Sequence, residues 1–133
     1  MSPPIGKNSA TPKPTDAELA ILRVLWRSGP ATVRAIHTEL ARATDTGYTT
    51  VLKMLQIMTE KGLVKRDESE RSHVYRSAFS EQQVQRRLVG HLLERAFGGS
   101  AKQLVLQALS AKKATPGELA EIRKLLDEME GRR

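Results

Sequence analysis

The 133-residue chain contains no cysteine. That removes disulfides, thiolate nucleophiles, iron–sulfur clusters and zinc fingers as explanations of a small basic protein. Aromatic residues are few, one Trp, two Tyr and two Phe, and Trp26 and the methionines read as core residues. No apolar run approaches the roughly 20 residues that cross a bilayer. Positions 1–14 carry Lys7 and Lys13 without an apolar stretch, which speaks against a secretory signal and leads to the expectation of a cytoplasmic protein. Histidine is limited to His37, His73 and His91. They lie in separate segments without ligand spacing, so no metal and no cofactor is expected. Gly98-Gly99 has no Lys-Ser/Thr sequel, and no nucleophile has an evident base partner, so the chain is not expected to be an enzyme.

What is present is positive charge. Lys and Arg number 22 against 15 Asp and Glu, a net +7, which suits a binding module for an anionic partner, most often nucleic acid. The excess is uneven. Residues 15–79 hold ten cations and eight anions, whereas residues 80–114 hold six and two. Within the first of these segments the useful charge is local: residues 48–66 carry Lys53, Lys61, Lys65 and Arg66 against Glu60 alone.

Proline, glycine, serine and asparagine fill positions 1–14, the composition of a disordered arm. Beyond it one signal recurs, a Ser or Thr followed three residues later by Glu or Gln, the capping box of a helix start. It occurs at Thr15, Ser80, Ser100 and Thr115. The first helix is predicted over 15–27, with Leu19, Leu22, Leu25 and Trp26 on one face and Ser28-Gly29-Pro30 as its stop. A second begins at N-cap Thr32 and spaces Val33, Ile36 and Leu40 helically; a third spans 48–61 and ends at Gly62. Residues 63–66 and 74–76 read as two short strands around a polar loop. Three helices followed by a basic-edged hairpin is the order of a winged helix-turn-helix.

The fold expected is therefore mainly α with a small β-hairpin wing. It comprises a winged-helix DNA-binding domain over 15–79 and a helical dimerisation domain over 80–133. The latter is predicted as helices 80–97, 100–111 and 115–130, with Val84, Leu88, Leu92, Phe97, Leu104, Leu109, Leu119, Ile122 and Leu126 at helical spacing. About 50 residues in three helices enclose too little volume to stand alone, and a second copy of the chain is the economical cover.

The third helix is the candidate reading head. At about 100° per residue, Thr49, Lys53, Gln56 and Glu60 fall within about 60° of one another, while Val51, Met54, Leu55 and Met58 occupy the opposite side. Thr49, Thr50, Lys53 and Gln56 are residue types that hydrogen-bond base edges, meet the thymine methyl or hold phosphates, and all but Gln56, which follows just beyond, sit in the helix's N-terminal half, which enters the major groove. Lys61, Lys65 and Arg66 would ring that groove with phosphate contacts. Arg71 at the hairpin tip and Arg34 early in the second helix are further candidates, although Asp67, Glu68 and Glu70 make the tip acidic. A winged helix used as a protein-interaction module without sequence-specific DNA binding is the alternative.

Ala17-Glu18-Leu19 with Leu25-Trp26, Thr50-Val51, and Lys61-Gly62-Leu63-Val64-Lys65-Arg66 form an ordered set of motifs. It continues in Phe97-Gly98-Gly99-Ser100, Leu104-Val105-Leu106 and Glu121-Ile122 with Leu125-Leu126. In that order they resemble the penicillinase-repressor family, of the BlaI/MecI type with its CopY branch. The resemblance implies a homodimeric repressor on an inverted-repeat operator in double-stranded DNA, with intertwined C-terminal helices. It also implies a membrane-anchored sensor metalloprotease as partner and induction by cleavage between an Asn and a Phe, where this chain has Gln107 and Ala108. Leu52 stands where the β-lactam sensors often have Arg, which implies a different operator sequence. Copper sensing through the Cys-x-Cys motifs of the CopY branch is excluded by the lack of cysteine.

Overall fold

A computed structural model describes residues 12–131. Most of the expected N-terminal arm, residues 1–11, lies outside the described residues; Pro14, assigned to the arm, is buried. The elements are α1 (Asp16–Ser28), β1 (Ala31–Thr32), α2 (Val33–Leu40), α3 (Tyr48–Lys61), β2 (Val64–Asp67), β3 (Val74–Ser77), α4 (Glu81–Phe97), α5 (Ala101–Ala111) and α6 (Pro116–Gly131). The chain divides into two compact units, 1–90 and 91–133, so that α4 begins in one and ends in the other.

Helix starts follow local chemistry. Thr15 closes a full capping box with Glu18 on α1. Ser80 and Gln83 exchange bonds of 2.8 and 3.1 Å before α4, and Thr115 and Glu118 bonds of 3.0 and 3.1 Å before α6. Thr32 and Ser100 accept from the amides of Ala35 and Gln103. Each such bond satisfies an amide that the helix itself leaves without an acceptor.

In the first unit, α1 contributes Ile21, Leu22, Val24 and Leu25, α2 contributes Val33, Ile36 and Leu40, and α3 contributes Val51, Leu55 and Met58 to one buried cluster. Leu63, Val64 and Tyr75 close it from the sheet side. At α3's end Gly62 takes φ 82°, the left-handed conformation that favours glycine, and Leu63 N–H returns to the Met58 carbonyl at 2.9 Å. That turn aims the chain straight into β2.

The hairpin is part of a larger sheet than the sequence reading expected. β1 adds a third strand, in the order β1-β3-β2, all antiparallel, with Ala31 opposite Tyr75 and Arg66 opposite Tyr75 on the other side. A two-residue strand has no period of its own, and its partner lies more than forty residues away. Trp26 ties this sheet to α1: its indole N–H is shared between Ser77 Oγ at 3.1 Å and the Phe79 carbonyl at 3.0 Å.

One expected dimerisation residue is corrected here. Val84, on the first turn of α4, is fully buried within the chain and has no surface left for a partner. Its helical spacing matched the apolar stripe, but its side chain is already covered within the single chain. The second unit is the opposite case: α5 and α6 bury no residue, and Leu92, Val105, Leu106, Leu125, Leu126 and Met129 are 45–67% exposed.

Candidate nucleic-acid interface

α3 separates two chemistries around its axis. Val51, Leu55 and Met58 are fully buried, whereas Thr49, Thr50, Lys53 and Gln56 are exposed. The side chains that hold the helix down are thus distinct from those it displays. At its start Gly47 supplies no side-chain cap, and the first turn holds no acidic residue. The positive end of this helix therefore has neither a side-chain cap nor an acidic residue of its own at the turn that displays Thr49 and Thr50.

A groove of about 390 Å³ opens beside that turn, lined by Thr32, Val33 and Arg34 of α2's start, Tyr48 and Leu52 of α3, and wing residues 71–73 with Tyr75. It brings together two of the expected phosphate contacts, Arg34 and Arg71, from elements 37 residues apart in the chain. Among the described residues neither guanidinium has a hydrogen bond or ion pair. His37 stands edge-on to Tyr48, with ring centroids 5.9 Å apart and planes at 83°, and so braces the ring at the mouth of α3. Leu52 packs partly against the core while lining the groove.

The other expected cations are placed differently. Lys61 sits twelve residues beyond Thr49, about 18 Å along the helix axis. Its ammonium donates to both oxygens of Glu18 at 2.9 Å. Glu18, only 6% exposed, also accepts the Thr15 amide at 2.9 Å. Burial pushes the Glu18 carboxyl's pKa up, but the Lys61 hydrogen bond, the Thr15 amide and the Lys61 charge outweigh it, so it titrates below the ordinary carboxylate range. Lys61 thus joins α3 to α1. Nothing in the sequence pairs these residues locally, because Glu18 already reads as a capping-box residue.

Strand alternation puts Lys65 and Arg66 on opposite faces of the sheet. Arg66 shares a face with Val64 and Tyr75, and its Nε donates to Glu68 Oε2 at 2.6 Å. Lys65 stands opposite Arg76 on the other face, two cations that repel unless an anion lies between them. Asp67, held below the usual carboxylate range by hydrogen bonds from Ser69, adds to the acidity of the tip. Among the described residues no cluster of His, Asp and Glu is arranged to hold a metal ion, and no helix is long and apolar enough to cross a membrane.

Helices α1 to α3 with a three-stranded wing, and a polar face on the third helix, define a winged helix-turn-helix regulator. The chain matches the penicillinase repressor family over residues 14–128, and it belongs to that family, one of transcriptional repressors rather than enzymes. Over 92 residues it is 33% identical to the transcriptional regulator BlaI of Mycobacterium tuberculosis, covering 68% of this chain and 67% of that protein. Over 113 residues it is 22% identical to the penicillinase repressor of Staphylococcus aureus, covering 85% and 90%. It is also similar to the solution structure of the monomeric form of Bacillus licheniformis BlaI in complex with the blaP half-operator, at 25% identity and a TM-score of 0.48, over 54% of this chain and 88% of that one.

Proposed function

We propose that the protein represses transcription as a homodimer, each copy reading one half of an inverted-repeat operator through α3. The observation that carries this reading is the exposed Thr49, Thr50, Lys53 and Gln56 face beside a groove holding two unpaired arginines. In this reading Thr49, Thr50, Lys53 and Gln56 contact base edges. Arg34, Arg71, Lys65 and Arg66 contact phosphates and set the register. Lys61 is left to the Glu18 pair.

The dimer is supported by the second unit, whose helices α5 and α6 bury nothing within one chain. A second copy of α4 to α6 covers Leu88, Leu92, Phe97, Leu104, Leu109, Leu119, Ile122 and Leu126. Residues 15–79 then act as the reading domain and the segment from 80 onward as the dimerisation domain. The protein works in the cytoplasm, where its operator is. Gln107–Ala108, an exposed pair inside α5, lacks the Asn and Phe that the family resemblance implies for cleavage by a membrane-anchored sensor metalloprotease, which speaks against that route; wild type left intact by such a protease is the expected result, and cleavage at this pair would restore the route.

The test is competition between the protein's own promoter fragment and random duplex of equal length at about 150 mM salt. The promoter fragment should win by a factor of about 10³ or more. Equal binding would reject sequence-specific repression.

A further inference from the structure

Arg66 differs from Arg71 at the wing tip in already having an anion. Its Nε lies 2.6 Å from Glu68 Oε2, with the two side chains 33% and 53% exposed. Glu68 follows directly on β2, and the Asp67 carboxylate accepts the Ser69 amide at 2.9 Å, which fixes the turn on which Glu68 is carried. A carboxylate is thereby held on a guanidinium that, in the proposed mode of binding, meets a DNA phosphate. Glu68 has no other partner among the described residues, and its exposure gives it no part in the core.

We infer, on the reading that the winged helix binds DNA, that Glu68 is an internal competitor of the phosphate backbone for Arg66 and sets the affinity of the wing for duplex. When a phosphate takes Arg66, the Glu68 contact breaks and its carboxylate is left beside the backbone. Binding exchanges one anion for another instead of adding a contact. A cation that neutralises a phosphate steepens the dependence of log K on log salt by about 0.9. The exchange with Glu68 suppresses part of that increment, so the competitor leaves a signature in the salt slope as well as in the affinity.

The experiment uses the full chain as wild type, Glu68→Gln, Arg66→Gln and the double variant. Each is titrated with the promoter fragment and with random duplex between about 50 and 200 mM salt. Glu68→Gln should bind both duplexes about twofold to fivefold tighter at the lowest salt. Its slope should be steeper by up to about 0.9. In the Arg66→Gln background less than half of the gain should remain. A gain that persists there at more than half its size means that Glu68 acts by general repulsion and overturns the inference, as does the absence of any gain. If wild type and Glu68→Gln alike bind no duplex at about 50 mM salt, the DNA reading fails with it, and that outcome is distinct from the other two. Circular-dichroism melts confirm that each variant is folded, and Glu68→Ala serves as a second probe of the same carboxylate.

Discussion

The Glu18–Lys61 pair gives the sharpest prediction about the reading domain, because it separates a structural lysine from a DNA-contacting one. Replacing Glu18 by Gln keeps an oxygen for the Thr15 amide and removes the charge that Lys61 satisfies. Charge-assisted hydrogen bonds contribute roughly 1.5–3 kcal/mol each. The Lys61 side chain is 37% exposed, so screening reduces the loss to about 1–2 kcal/mol. In a unit of this size that is a fall in Tm of roughly 4–15 °C. The Glu18 carboxyl is lowered relative to its unfolded value. Its contribution is therefore fully present above the ordinary carboxylate pKa and disappears as pH falls through the folded value. Thermal melts of wild type and Glu18→Gln should differ at pH 7 and converge in acid below the carboxylate range. Lys61→Met should lose stability similarly at pH 7 while leaving the salt slope of DNA binding unchanged. Identical melts at pH 7, or a slope reduced by about 0.9 in Lys61→Met, would refute the assignment of Lys61 to Glu18.

Trp26→Phe removes the donor shared by Ser77 and Phe79 and should cost about 1–2 kcal/mol in urea unfolding; an unchanged midpoint would mean that the indole does not tie the sheet to α1. Leu126→Asp, at a position 54% exposed in the single chain, should sediment as a monomer at micromolar concentration and bind operator more weakly while keeping its helix content. A wild-type monomer at that concentration would end the dimer reading. Gly62→Ala should destabilise by about 1 kcal/mol or more, since an L side chain must adopt φ 82°; a neutral effect would show that the α3–β2 turn relaxes.

Helix limits were legible because their signals are local. Thr15, Thr32, Ser80, Ser100 and Thr115 each start a helix within one residue of expectation, and Gly62 ends α3. The polar and apolar sides of α3 followed from its period alone. What escaped was nonlocal: β1 exists only through pairing with β3, Lys61 meets a carboxylate 43 residues away, and Val84 fits the dimer stripe by spacing but is buried in the first unit. The Arg66–Glu68 contact was within reach as a pair of opposite charges two residues apart. The groove joining Arg34 to Arg71 was not, because it depends on how α2 and the wing pack about α3.

In the proposed mode of binding, α3 reads sequence with Lys53 and Gln56, two exposed side chains that hold no part of the core. The direct measurement is the operator-to-random affinity ratio of the Lys53→Ala/Gln56→Ala protein against wild type, with unfolding curves alongside. The ratio should fall by about 10-fold or more, from about 1–3 kcal/mol per lost base contact, with stability unchanged. An unchanged ratio in a folded double variant would contradict it.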